Sequence, residues 1–299
     1  MSSKSVIFLK EQLNSAMKKA FIFFFIFNAF VAESKAHDPI PFTLTPSGHI
    51  VIKAAVNGIQ GNFIFDTGAG LNLFFKDFAQ KLHVKESDNF FVAHRATGEA
   101  ITTPIYYAKD LKIGDKHFQN QVYSTFDINL EGIDGLLSLQ AFQHTPITID
   151  YENKIITLNE INSKDKKKYI DIQIADYAEK ALDIFTYVTL NNKTTIQVAL
   201  DAGAGSRSFW IHSKFMKTLD LDTGQFNSFI KKSEFDSLKS NRFYKGSIAS
   251  IKTTENAVQI QNPKVVFVEG LIYEGKTSID WLGKKIAISL PEKKIFIIK

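Results

Sequence analysis

The chain has 299 residues, 44% of them hydrophobic, enough for two domains of ordinary size with a sizeable core. The net charge of +5 is concentrated at the N-terminus: residues 37–299 carry 31 basic against 29 acidic side chains, a net of +2, with no basic stripe of the kind that marks a nucleic-acid binder. The absence of cysteine excludes disulfides, a thiol nucleophile, a Cys-based metal site and lipid attachment through Cys.

Residues 1–36 read as an export signal. Lys18 and Lys19 precede an apolar stretch of 13 residues, Ala20 to Ala32, which is short against the ~20 residues of a membrane span. Small residues at Ser34 and Ala36 place cleavage before His37, or alternatively after Ser34. Met17 is a candidate true start, because Met17-Lys18-Lys19 is a compact signal opening. The expected location is periplasmic or secreted; an uncleaved N-terminal anchor is the alternative.

Beyond the leader the pattern is that of strands. His49 to Val56 is an apolar, β-branched run, Asn57-Gly58 is a strong hairpin-turn signal, and Asn62 to Phe65 leads into Asp66. The second half repeats the order. Phe185 to Leu190 predicts a strand, Asn191-Asn192-Lys193 a turn, and Thr195 to Leu200 a strand ending at Asp201. Asn57 precedes Asp66 by nine residues, and Asn192 precedes Asp201 by nine. Short helices are predicted after each Asp, over Phe75–Leu82 and His212–Leu219, with another over residues 139–143 that is not expected in the second half. Each half ends in a predicted hairpin, Ile147–Leu158 and Ile286–Ile297. The charged run 162–168 divides a first lobe, 37–161, from a second, 169–299.

Asp66-Thr67-Gly68-Ala69-Gly70 recurs as Asp201-Ala202-Gly203-Ala204-Gly205. A carboxylate at the end of a buried strand is costly unless it is hydrogen-bonded or partnered, and the glycines after it allow positive φ and close backbone approach. Two such turns meeting tip to tip bring two carboxyl groups together. Like charges that close cannot both ionise, so one proton is shared. One group can then take a proton from water while the other gives one to a carbonyl oxygen, which is general acid–base hydrolysis of an amide.

On these motifs the chain resembles the retropepsin-like aspartic proteases of bilobal, pepsin-type plan. The resemblance covers roughly residues 40–299 and implies an all-β fold of two similar barrel-like lobes with a cleft between them. It makes Asp66 and Asp201 the catalytic pair, with Thr67, Gly68, Ala69, Gly70, Ala202, Gly203, Ala204 and Gly205 as loop support. The family's later hydrophobic–hydrophobic–Gly element is matched to Leu136-Leu137-Ser138 and to Trp281-Leu282-Gly283. Two departures stand out: Ala202 lacks the hydroxyl that the family bonds across to the opposite loop, and Ser138 replaces Gly. A substrate-covering flap is expected over Phe91–Ala108 with its tip at Thr97-Gly98-Glu99, without a tyrosine before the tip.

The resemblance implies an extended peptide or protein substrate, no metal, no cofactor, and a single chain holding both aspartates. Asp134 and Asp280 read as structural turn acids, and Trp210, Trp281, Phe74-Phe75 and Phe90-Phe91 as packing residues. Ala202 and the missing flap tyrosine keep a second reading open, a cleft that binds peptide without cutting it. A third is a processing enzyme devoted to one exported partner.

Overall fold

The computed structural model describes residues 38–159, 161–233, 236 and 238–299, so the predicted leader lies outside the described residues. The alternation along Ile50–Val56 turns Ile50, Ile52, Ala54 and Val56 inward. Asn57 and Gly58, at φ 49° and 84°, make the tight turn into the strand Ile59–Phe65. From there the sheet runs through Gly135–Leu137, Asn72–Phe75, Lys116–Phe126 and Tyr106–Ile113. The last of these returns to Ile50–Val56 through the pairs Ala55–Lys112 and Val56–Leu111, which closes a barrel.

Aromatic rings fill this barrel. Phe63 lies edge-on to Phe78 at 5.1 Å, and Phe74 lies 4.6 Å from Tyr123, all four almost fully buried. Phe75 is buried too, as packing requires. Phe90 is not: it is 65% exposed, because Phe90–His94 pairs with Ala100–Pro104 as a separate two-stranded sheet outside the barrel wall.

The second lobe repeats the plan with Ala181–Leu190, a turn, and Thr194–Leu200. Its turn is one residue longer: Val56 pairs with Ile59, whereas Leu190 pairs with Thr194. The matching nine-residue spacing therefore compares different places in the two turns. This sheet runs in order through Asn227–Lys232, Ser240–Ser247, Lys264–Val268, Phe209–His212, Gly275–Thr277, Thr194–Leu200, Ala181–Leu190, Ser250–Thr253 and Gln259–Gln261. Its end strands do not meet, so this lobe stays open where the first is closed.

The short helices fall after each Asp as predicted, at Lys76–Lys81 and Lys214–Thr218. The turn predicted at 139–143 is a 3-10 helix over Leu139–Phe142. Contrary to expectation the second lobe has its counterpart, Asp280–Leu282.

The two terminal hairpins pair with each other. Ile147–Asp150 runs antiparallel to Lys285–Ser289, with Ile147 opposite Ile288 and Ile149 opposite Ile286, all four buried. Equivalent strands paired antiparallel relate the lobes by an approximate two-fold axis. Residues 163–166 form a 3-10 turn capped by Asn162 and tethered by Lys166 to Glu292 at 2.8 Å. Among the described residues no helix is long and apolar enough to cross a membrane.

Because Phe63 sits at the centre of the ring cluster, Phe63→Ala should cost about 3–5 kcal/mol of stability in urea denaturation. A loss below about 1 kcal/mol would contradict this packing.

Candidate active site

Each Asp is held at its strand end by the neighbouring parallel strand. Asp66 N–H donates to Leu137 O at 2.9 Å, and Asp201 N–H donates to Thr277 O at 2.8 Å. The two loops then interlock. A Cβ added to Gly68 would lie 2.4 Å from Asp201 Cγ, and one added to Gly203 would lie 2.3 Å from Asp66 Cγ. Each aspartate thus occupies space that only a glycine of the other loop leaves open. Asp66 Oδ1 accepts from Gly68 N–H (2.8 Å) and from Gly203 N–H across the junction (3.2 Å). Asp66 and Asp201, both buried, are themselves within hydrogen-bonding contact.

Thr67 ties the junction from one side. Its hydroxyl donates to Leu200 O (2.7 Å) and accepts from Ala202 N–H (2.9 Å). Ala202 has no hydroxyl to return the contact. Outer contacts brace both loops: Leu182 N–H to Gly70 O (2.8 Å), Ser206 N–H to Ser47 O (2.9 Å), and His49 Nε2 to Gly203 O (3.1 Å). Ala69 and Ala204 N–H turn back to the carbonyls of Asp66 and Asp201. Gly205 uses positive φ (82°), but at Gly70 an added Cβ would meet nothing closer than 3.6 Å, so that glycine is not needed for close approach.

Burial, then the charge of Asp201 and the hydrogen bond with it, push the Asp66 carboxyl up to about 8; Gly68 N–H and the charge of Lys276 oppose them. Asp201 Oδ1 is buried without a donor from the described protein, which suits a proton held by Asp66.

Lys276 escaped the sequence reading. Gly275–Thr277 pairs with Thr194–Leu200 (Val198–Gly275, Leu200–Thr277) as Gly135–Leu137 pairs with Ile59–Phe65 (Phe63–Gly135, Phe65–Leu137). The true counterpart of Gly135-Leu136-Leu137-Ser138 is therefore Gly275-Lys276-Thr277-Ser278. Trp281-Leu282-Gly283, matched to that element by sequence, belongs instead to the following 3-10 turn and its end. Lys276 Nζ lies 2.6 Å from Asp201 Oδ2 and 5.0 Å above the Trp210 ring. Trp210 is thus a half-buried wall beside the site, while Trp281 is buried in the core.

Asp183 was missed as well. It lies beside the first loop, with its Oδ1 3.7 Å from the Cβ that Gly70 would bear, and Tyr177 OH donates to its Oδ2 at 3.3 Å. Burial raises it to about 6, with the Asp201 charge adding and Tyr177 opposing. Tyr273 feels the charges of Asp183 and Asp201. Asp134 and Asp280 are structural, as read: Asp134 accepts from Asn62 N–H, and Asp280 from Ser206, Arg207 N–H and Ser278.

The flap candidate is a hairpin with His94 opposite Ala100 and a turn at Arg95–Gly98, where Gly98 has φ 85°. Its tip reaches the second lobe. Ile272 N–H donates to Ala96 O at 2.9 Å, and Gly98 lies against Ile272 and the Lys239 ammonium. Burial works against the charge of Glu99, but hydrogen bonds from Ser233 and Thr97 and the nearby Arg95 outweigh it and hold the carboxyl below its usual range. Among the described residues no group of three or more His, Asp or Glu is arranged to hold a metal ion.

Residues 52–141, the barrel that carries Asp66 and its loop, match the family model described as aspartyl protease. That stretch, about a third of the chain, is similar to the aspartyl protease family. Among solved structures the chain is similar to a retropepsin-like aspartic protease from Rickettsia conorii, at 22% identity over 41% of this chain and 90% of that one, with a TM-score of 0.31. It is also similar to the crystal structure of edgp, at 8% identity over 86% of this chain and 93% of that one, with a TM-score of 0.50, a likeness of fold. Comparison with curated proteins returns no match.

The junction makes two tests. Thr67→Val leaves Leu200 O and Ala202 N–H without their buried partner and should cost about 1–3 kcal/mol in denaturant titration; an unchanged midpoint would show the bridge to be idle. Because the folded Asp66 group has its pKa raised, the native state binds more protons than the unfolded chain between the two values. Stability should therefore fall as pH rises from about 4 to about 8, and Asp66→Asn should flatten that slope. An equal slope in both proteins would contradict the raised pKa.

Proposed function

We propose that the chain is an aspartic endopeptidase in which Asp66 and Asp201 share one proton and activate a water between them. The interlock of Gly68 with Asp201 and of Gly203 with Asp66 carries this reading, because it forces two buried carboxyls into one another's field. The carboxylate takes a proton from the water as its oxygen bonds to the scissile carbonyl carbon, and the acid gives its proton to the carbonyl oxygen. The resulting gem-diol collapses, the C–N bond breaks, the departing nitrogen takes the water's proton, and a diol hydroxyl restores the other. No covalent enzyme intermediate forms.

An extended peptide suits the cleft, since it can bond along strand edges beneath the Phe90–Pro104 hairpin. One chain supplies both aspartates, so the reading needs no dimer. Export belongs to the same reading and rests on the apolar stretch from Ala20 to Ala32 after Lys18-Lys19.

Ala202 and the Lys276–Asp201 ion pair favour a second reading, a peptide-binding cleft without turnover. A peptide library assayed from pH 3 to 9 separates the two. Hydrolysis that disappears in both Asp66→Asn and Asp201→Asn, with circular dichroism unchanged, is the expected outcome. Binding without cleavage at every pH, or cleavage that survives both substitutions, rejects the mechanism. Above the pKa of Asp66 no proton is left to share, so activity should persist at neutral pH and be half lost near pH 8.

A further inference from the structure

The aspartate pair is not symmetric. Asp66 is met by two backbone N–H groups, from Gly68 and Gly203, whereas Asp201 Oδ2 is met by an ammonium at 2.6 Å. Lys276 stands at the strand position that Leu136 occupies in the first lobe, one residue before the carbonyl that pins the Asp N–H. Its stem crosses the Trp210 ring, and the side chains of Lys276 and Asp201 are only 17% and 10% exposed. An ion pair this sheltered is little screened by solvent, so the ammonium's attraction for negative charge falls mainly on Asp201.

We infer that Lys276 is a positioning residue that decides which aspartate carries the proton, holding Asp201 as the carboxylate and leaving the proton to Asp66. The inference rests on the proposed reading of a working pair and adds the division of labour within it. Asp201 is then the base that receives the water's proton. From there the proton passes to the departing nitrogen, which leaves Asp201 as the carboxylate beside the ammonium once more. Asp66 is the group that protonates the carbonyl oxygen.

The other groups facing this pair do not supply the same bias. Asp183, on the strand Ala181–Leu190, adds negative charge toward Asp201, and Tyr273 and Tyr177 lie around Asp183. His49 meets the second loop at Gly203 O. Glu274, two residues before Lys276, is engaged elsewhere, accepting from Gln197 N–H and facing Lys214.

Carboxyl-carbon NMR titration of the resting protein reads the assignment without any substrate. Lys276→Met, which keeps the stem over Trp210 and removes the charge, should raise the lower midpoint of the pair by roughly 1–3 pH units. Lys276→Arg should restore it. The acid limb of the kcat/KM profile should move with that midpoint. In the unmodified protein, the Nζ resonance of Lys276 should shift at the same lower midpoint. An unmoved lower midpoint in folded Lys276→Met, or an Nζ resonance blind to it in the native chain, overturns the inference. A chain that shows the titration but cleaves nothing refutes the endopeptidase reading alone. One that cleaves with an unmoved midpoint refutes the role of Lys276 alone.

Discussion

The structure depends on two strand ends meeting so closely that each aspartate fills the side-chain space of the other loop's glycine. With Cβ positions only 2.3–2.4 Å from the opposing Cγ atoms, neither loop tolerates a larger residue at Gly68 or Gly203 without moving the acid it faces. Once that approach is made, the rest follows from electrostatics. Two buried carboxyls in contact cannot both be charged, and a proton must stay. The joined terminal hairpins below and the Thr67 bridge above hold the loops in that position.

Three departures from two-fold symmetry fall on the second lobe. Its sheet is open, its Asp loop lacks the hydroxyl, and the position beneath its loop bears Lys276 in place of an aliphatic residue. These differences act in one direction. The first loop grips the second through Thr67 and receives a backbone N–H from it at Asp66, while the second loop directs its own carboxylate to a cation of its own lobe. Two like Asp loops thereby give their acids different surroundings.

Much of this was legible in the sequence. The repeated pentapeptide located both Asp loops, the Asn-rich turns located the hairpins that lead into them, and the apolar alternation of Ile147–Leu158 and Ile286–Ile297 located the strands that join the lobes. A hairpin turn near Thr97-Gly98 was legible from its turn chemistry, although the turn itself spans Arg95–Gly98. Strand register was not. Trp281-Leu282-Gly283 carries the more conspicuous hydrophobic pattern, yet Gly275-Lys276-Thr277-Ser278 lies beside the second Asp strand. The sole sequence signal was the shared Gly before and Ser after the element, because pairing partners far apart in the chain leave no local pattern. Asp183 and Tyr273 were hidden for the same reason: only the fold brings them toward Asp201. Phe90 was misjudged because its strand pairs only with Ala100–Pro104, outside the barrel wall, which leaves its ring exposed.

The most direct test of the shared proton is a neutron diffraction map of deuterated crystals at neutral pH. The account predicts one deuteron between the carboxyl groups of Asp66 and Asp201, bonded to Asp66. Two deuterons, one on each group, or none on either, would contradict it.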